Sequence, residues 1–363
     1  MTERPALPIA LLAELTHRCP LSCSYCSNPL ELTAREKELP TEIWADVFRQ
    51  AADLGVLQLH LSGGEPASRR DLETLVAVAR DTGLYVNLIT SGIGLSPSRL
   101  DALETAGLDH VQLSLQATRA EKADWIGGYK GGFARKLAFA DEVHRRGLPL
   151  TINAVMHRHT IDDIDAAIEF AASLGARRIE VACVQFYGWA LANRSGLLPS
   201  RDQVLRAKEA VLAARRAYAG RMTIDFVPPD YYADYPKACM GGWGTTGINI
   251  APDGTVLPCH AAATIPGLAF DRVTEKPLSA IWYDGSAFNA FRGYAWMKEP
   301  CRSCARRDKD HGGCRCQALA LAADATAADP VCRHAPGRPI IDDILAQETT
   351  FETGLLYRNS KAM

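Results

Sequence analysis

The chain has 363 residues, 47% hydrophobic and 23% charged, which is length enough for roughly two domains and excludes both wholesale disorder and a polytopic membrane protein. With 40 Lys and Arg against 42 Asp and Glu the net charge is −2, and the arginine pairs Arg145–Arg146, Arg177–Arg178 and Arg215–Arg216 are scattered, so no nucleic-acid partner is expected. The apolar stretch from Pro5 to Leu15 is short, is interrupted by Glu14 and has no basic leader, so neither a secretory signal nor a membrane span is expected and the cytoplasm is the default compartment.

From residue 9 to about 227, short Val/Ile/Leu runs alternate with longer amphipathic stretches, the pattern of βα units around a parallel sheet. In chain order the pattern predicts a strand at Ile9–Glu14, a helix at Thr41–Leu54 with Thr41 as N-cap, a strand at Val56–Ser62 and a helix at Arg70–Thr82. There follow a strand at Tyr85–Thr90, a helix at Pro97–Ala106, a strand at His110–Gln116 and a helix at Gly132–Arg146. The series ends with a strand at Leu150–Met156, a helix at Ile161–Leu174, a strand at Ile179–Val184 and a helix at Arg201–Tyr218. Gly55, Gly83, Gly107, Gly147, Gly175 and Gly220 stand where helix C-caps belong. Six such units are too few for a closed eight-stranded barrel, so an α/β fold with an open, partial barrel is expected, its chemistry at the C-terminal ends of the strands. After Pro228–Pro229 the chain turns aromatic, Gly-rich and Cys-rich, with a hairpin expected around Asp253–Gly254. The division is therefore a barrel over 1–227, a Cys-rich domain over 228–338 and a tail over 339–363 whose only pattern is a short helix at Ile340–Gln347.

Ten of the eleven cysteines fall in two zones, and in a reducing compartment such groups are metal ligands sooner than disulfides. Directly after the first strand stands Cys19-Pro-Leu-Ser-Cys23-Ser-Tyr-Cys26. Three thiolates cannot complete a tetrahedral zinc site unless a fourth ligand such as His17 joins them, but they can hold three irons of a [4Fe–4S] cluster and leave the fourth iron open. The second strand ends in Ser62-Gly63-Gly64-Glu65-Pro66, where a Gly-Gly turn lets backbone approach a ligand and Glu65 adds negative charge. The second zone reads Cys239, Gly254-x-x-x-x-Cys259, Cys301-x-x-Cys304, Asp310, Cys314, Cys316 and Cys332. Taken alone, its paired cysteines also describe a zinc ribbon. Cys183 lies in an apolar strand and is expected in the core, and His157 and His159 follow the fifth strand as proton-transfer or capping residues.

The cysteine loop followed one βα unit later by Gly-Gly-Glu resembles the radical S-adenosylmethionine (SAM) superfamily. The second zone resembles the Cys-rich SPASM extension of those enzymes, with Asp310 where the pattern, after five intervening residues from Cys304, has a cysteine. The resemblance implies that Cys19, Cys23 and Cys26 hold the [4Fe–4S] cluster whose open iron takes the SAM amino and carboxylate groups. It also implies that Gly63, Gly64 and Glu65 face the methionine amino group and that Tyr25 shields the cluster beside the adenine. Ser91, Gln116 and Asn153 are ribose or carboxylate contacts by position, or plain strand-end hydrogen bonds. Seven cysteines and Asp310 supply eight ligands, implying two fully ligated auxiliary iron–sulfur clusters, [4Fe–4S] or [2Fe–2S]. One would use Cys239, Cys259, Cys314 and Cys316, and the other Cys301, Cys304, Asp310 and Cys332, with Asp308 and His311 as competing donors beside Asp310.

The strings CSYCSNPLEL, HLSGGEP, NLITSG, LDHVQLSLQ, YGWA, PDYYADYPKAC, VLPCHAA and WMKEPCRSCARRDKDHGGCRCQALAL are similar to the PqqA peptide cyclases of pyrroloquinoline quinone (PQQ) biosynthesis from about Ile9 to Cys332, and the Asp310 substitution is shared with that family. The resemblance implies an oxidoreductase that joins a glutamate and a tyrosine of the precursor peptide PqqA by a carbon–carbon bond. Hydrogen abstraction from the glutamate methylene, addition to the tyrosine ring, and loss of a proton and an electron to an auxiliary cluster would complete the reaction. A peptide chaperone, PqqD, and an external electron donor are the implied partners. Gln185, Tyr187 and Trp189 are candidate substrate contacts by position, or core residues.

Overall fold

A computed structural model describes residues 5–347 and 354–358. The expected alternation is present: β1 (Ala10–Thr16), α1 (Thr41–Asp53), β2 (Gln58–Gly63), α2 (Leu72–Asp81), β3 (Tyr85–Thr90), α3 (Pro97–Ala106) and β4 (His110–Leu115). After two helices, α4 (Ala120–Gly127) and α5 (Gly132–Arg145), come β5 (Leu150–Met156), α6 (Ile164–Ser173) and β6 (Arg178–Cys183). The short α7 (Gly188–Ala192) and α8 (Arg194–Leu197), then α9 (Arg201–Ala217) and β7 (Thr223–Val227), complete this part. The Cys-rich part holds β8 (Gly247–Ile250), β9 (Val256–Leu257), α10 (Leu278–Asp284), α11 (Ser286–Asn289), α12 (Arg307–Asp310), α13 (Arg315–Ala322) and α14 (Arg338–Ala346).

The nine strands among the described residues belong to one sheet, ordered β7-β6-β5-β4-β3-β2-β1-β8-β9. Neighbours from β7 to β8 pair in parallel, and β9 returns antiparallel on β8 through the turn at Asp253–Gly254, as the hairpin signal predicts. The sheet runs open from β7 to β9, so the partial barrel holds, but it is wider than six strands. β7 and β8 lack a long apolar run, and β8 lies beyond the Pro228–Pro229 division, yet it lays Ala10–Ala13 of β1 against Gly247–Ile250. Division of the chain at that point therefore does not divide the sheet.

Local rules account for most element ends. The six expected C-cap glycines take left-handed φ between 72° and 105°. Thr41 is not the N-cap of α1: Pro40 occupies that place, and the Thr41 hydroxyl donates to Asp71 Oδ2 at 2.6 Å. The helix expected from Ile161 begins as a 3-10 turn over Ile161–Asp163 before α6. α4 escapes the sequence pattern because its eight residues bury only Ala123, Ile126 and Gly127.

Alternation along the strands sorts residues into two layers. Leu59, Leu61, Val86, Leu88, Val111, Leu113, Ile152, Ile179 and Val181 are buried with Trp44, Phe48, Leu72, Leu75, Leu100 and Phe139 of the helices, forming one core. The opposite layer is polar at the C-terminal strand ends. There the Lys136 ammonium, 2% exposed, leaves the α5 layer to donate to Ser91 O at 2.9 Å and Ser114 O at 3.0 Å, tying the exits of β3 and β4 together. Lys136→Met keeps the side-chain length and leaves both carbonyls without this donor. It is expected to lower stability by about 2–4 kcal/mol, read as a shifted denaturation midpoint at unchanged slope.

Candidate functional site

The strand exits enclose a cavity of about 300 Å³. Alternate residues recur in its walls, Ser114 of β4 and Gln116 beyond it, Asn153 and Val155 of β5, and Glu180 and Ala182 of β6, while at the exits of β2, β3 and β6 consecutive residues line it, Ser62–Gly64, Ile89–Ser91 and Ala182–Gln185. The loop after β1 closes it with Cys19, Cys23, Tyr25 and Cys26. All three thiols of the first zone therefore face one space, as do Gly63, Gly64, Ser91, Gln116 and Asn153.

Packing of the chain against itself adds a second reason for the two glycines, both of which line the cavity. Gly64 N donates to Thr16 O at 2.6 Å and Glu65 N to Arg18 O at 2.8 Å. A Cβ on Gly63 would lie 2.3 Å from Thr16 O, and one on Gly64 2.3 Å from Arg18 O. The chain's own backbone, at the entrance to the cysteine loop, excludes a side chain here. Glu65 is completely buried and stands behind the cavity wall rather than in it. Its carboxylate accepts from Ala67 N at 3.1 Å, Thr90 Oγ1 at 2.7 Å, Ser91 N at 2.7 Å and the Ser91 hydroxyl. Glu65 thus braces the end of β3 and holds Ser91 in the wall.

Burial pushes the Cys19 and Cys23 thiols up to about 12, with Glu65 adding to the effect on Cys19 and Cys26 to that on Cys23. Burial likewise raises Cys26. Three thiols crowded in a dry space cannot all ionise alone, whereas a multi-iron core supplies the compensating charge. The polar atoms around them fit a bound ligand. Gln116 Oε1 and Asn153 Oδ1 are buried without a hydrogen-bond partner, and both residues line the cavity. Tyr25 lies against the His157 ring at 5.6 Å and within hydrogen-bonding reach of Gln116. His17 is committed elsewhere: Nδ1 accepts from Thr33 N at 2.8 Å, so Nε2 carries the proton toward Glu14 Oε2 at 3.2 Å. Neither nitrogen is left to complete a zinc site with the three thiols.

The second zone gathers into two sets. Cys239, Cys259 at the end of the hairpin, and Cys314 and Cys316 at the start of α13 lie within mutual hydrogen-bonding reach. Cys259 is held well below its ordinary value by donation from Cys239 and Cys316, which are raised in return. Cys301, Cys304, Asp310 and Cys332 line a separate cavity of about 370 Å³ together with Gly312 and His334. Asp310 is 7% exposed and reaches the cavity, whereas Asp308 points outward beside Arg307 and His311 stacks on Tyr294. The αL conformation of His311, φ 50°, ends α12 and turns the chain toward Gly312 and Cys314. His334 carries no motif that marks it in the sequence.

A third cavity, about 690 Å³ and mostly apolar, opens between the cysteine loop, α7 and the β8–β9 hairpin. Its wall includes Leu30, Leu191, Leu257 and Ala261, and it shares Ser27 and Tyr187 with the first cavity. The Tyr187 hydroxyl pairs with His260 Nε2 at 2.7 Å. Of the other candidates on this segment, Gln185 lines the first cavity and Trp189 lines neither. Cys183 is buried with the core cluster, as expected, and also lines the first cavity.

His157 and His159 pack against each other at 5.6 Å, with Trp125 edge-on to His159. Burial, then His159 and Lys122, lowers His157 from 6.5 to about 3, so it is neutral at pH 7 and its protonation opposes folding. Stability from this group is complete above pH 6.5 and is lost progressively as pH falls toward 3, by up to about 1.4 kcal/mol per pH unit. His157→Phe, which keeps a ring against Tyr25, is expected to flatten the acid limb of a denaturation-midpoint-against-pH curve in that window. An unchanged limb would contradict this assignment.

Residues 13–171 match the profile of the Radical SAM superfamily, and residues 239–305 that of SPASM, an iron–sulfur cluster-binding domain. The chain is 66% identical over 329 residues to a PqqA peptide cyclase of Ruegeria pomeroyi, covering 91% of this chain and 88% of that one. It is 60% identical over 331 residues to a PqqA peptide cyclase of Rhizobium meliloti, covering 91% and 88%. Among solved structures, Streptococcus suis SuiB bound to S-adenosylmethionine aligns with a TM-score of 0.75 at 21% identity, covering 90% of this chain and 77% of that one, which is a likeness of fold. The chain is a radical SAM enzyme with a SPASM extension and belongs to the PqqA peptide cyclase family.

Proposed function

We propose that the enzyme forms a carbon–carbon bond between a glutamate and a tyrosine side chain of the precursor peptide PqqA, a step of PQQ biosynthesis. The observation that carries this reading, beside the names of the relatives, is the common wall between the two cavities. Tyr187 and Ser27 line both the three-cysteine cavity and the larger apolar one. A peptide side chain in the larger space therefore lies next to the radical source, and an apolar cleft rimmed by a few polar groups suits an aromatic residue.

Cys19, Cys23 and Cys26 would hold the [4Fe–4S] cluster, with SAM on its open iron. When bound, this pair supplies a 5′-deoxyadenosyl radical able to take a hydrogen atom from carbon. The protein's part is orientation and exclusion of water. Gln116 Oε1 and Asn153 Oδ1 are acceptors for the cofactor's polar groups, Tyr25 covers the cysteine loop, and Gly63, Gly64 and the Glu65 brace fix the wall. Glu65 then acts through Ser91 and not by direct contact. Tyr187, held by His260, sits where a peptide ring would be oriented. Cys239, Cys259, Cys314 and Cys316, and separately Cys301, Cys304, Asp310 and Cys332, would hold two auxiliary clusters, [4Fe–4S] or [2Fe–2S], which would supply one-electron acceptors beside the substrate site. We place the radical chemistry in 1–227, the auxiliary ligands in 228–338, and the working compartment in the reducing cytoplasm. PqqD as peptide carrier and an external electron donor complete the assembly.

The test is anaerobic incubation of reconstituted enzyme with PqqA, PqqD, SAM and reductant, followed by mass spectrometry. Loss of two hydrogens with an internal Glu–Tyr crosslink is the expected product, and intact peptide despite deoxyadenosine formation would overturn the reading. Cys23→Ala is expected to abolish SAM cleavage. Asp310→Ala is expected to retain at least part of the cleavage and lose crosslinking.

A further inference from the structure

Residues 354–358 return to the cysteine loop from far along the chain. Asn193 clamps this strap through its backbone, with Nδ2 donating to Leu356 O at 2.7 Å and Oδ1 accepting from Leu356 N at 2.8 Å. The same Nδ2 donates to Ser24 O at 2.7 Å, inside the cysteine loop. Tyr357 lies over Gly128, and Leu355 packs by Gly196 with the cluster around Leu197 and Ile341. The strap ends its described course with Arg358, 2% exposed, whose guanidinium donates to His17 O and lines the three-cysteine cavity. Arg358 Nε is buried without a partner. Among the described residues no carboxylate pairs with Arg358, while its charge acts on Cys19, Cys23 and Cys26 and it stands within hydrogen-bonding reach of Cys26.

An unpaired buried guanidinium is strongly disfavoured, so a cation this deeply placed needs an anion in the cavity. Three thiolates on an iron–sulfur core leave net negative charge, and hydrogen bonds to ligating sulfur together with nearby positive charge are what set such a cluster's potential. We propose that Arg358, delivered by the docked strap, hydrogen-bonds the sulfur of the N-terminal cluster and raises its reduction potential, making Arg358 a positioning residue for electron entry. Electron entry from the external donor then depends on a strap held by Asn193, some distance in sequence from any cysteine.

This inference rests on the assignment of Cys19, Cys23 and Cys26 to a cluster. The experiment is a potentiometric titration, followed by electron paramagnetic resonance, of the reconstituted full-length holoenzyme without SAM. Wild-type protein with no reducible N-terminal signal would remove that assignment before any variant is compared. With the signal present, Arg358→Gln is expected to lower the reduced-to-oxidised ratio at fixed potential about tenfold, about 59 mV for one electron. Arg358→Lys, which keeps the charge, is expected to restore most of it. Leu356→Pro removes the N–H that Asn193 receives while leaving Arg358 unchanged, and is expected to shift the potential in the same direction. Should Arg358→Gln fail to load iron, the Leu356→Pro and Arg358→Lys pair carries the test. A wild-type potential in the neutral or strap-released variant would overturn the proposal. A shift that arises only when SAM is added would also overturn it, since Arg358 would then serve the cofactor carboxylate.

Discussion

The turn at Gly63–Gly64 and the chain at Thr16–Arg18 approach until only hydrogen atoms fit between them, and the first cavity depends on this contact. Two backbone hydrogen bonds, Gly64 N to Thr16 O and Glu65 N to Arg18 O, fasten the exit of β2 to the root of the cysteine loop. Because a Cβ at either glycine would meet carbonyl oxygen at 2.3 Å, the relative position of loop and strand is set by backbone, which cannot change rotamer. Glu65 passes that constraint sideways to Thr90 and Ser91, and Lys136 carries it on to Ser114. Four consecutive strand exits are thus held by buried polar contacts.

The alternating strands were legible because their apolar runs are bounded by glycines that must adopt left-handed conformations. Tyr85–Thr90, Leu150–Met156 and Pro97–Ala106 match the expected bounds. What escaped was context. β8 has four residues and pairs only because β1 offers it a ladder, and β7 alternates Thr, Ile, Asp, Phe and Val too briefly to stand apart from its neighbours. Motif spacing brought the site cysteines to light, and those groups do converge in space. The function of Glu65 as a brace was hidden because its partners, Thr90 and Ser91, lie 25 and 26 residues away. Lys136 resembles any exposed lysine on an amphipathic helix, and Arg358 sits in a stretch without pattern, so burial alone distinguishes both.

Two electrostatic regimes meet at the border between the barrel and the Cys-rich part. Tyr187 hydrogen-bonds His260, which follows Cys259, so the wall shared by the two cavities is tied directly to the turn that carries Cys259. Farther in, Arg315 is 1% exposed, donates to Ala325 O at 2.9 Å and Ala327 O at 2.8 Å, and lies over the Trp296 ring. It sits between Cys314 and Cys316 in sequence while its charge also acts on Cys239 and Cys301. One cation is therefore common to both cysteine groups, and its hydrogen bonds hold it in place.

The lateral placement of β8 on β1 has a consequence for the margin of the sheet. β1 is apolar, with Leu11, Ala13 and Leu15 fully buried, and its flank would otherwise present a row of free amide groups to any other extended chain. By continuing into β8 and then into a β9 of only two residues, beside which Thr255 bridges Arg272, the Cys-rich part covers that flank and leaves a short edge in its place.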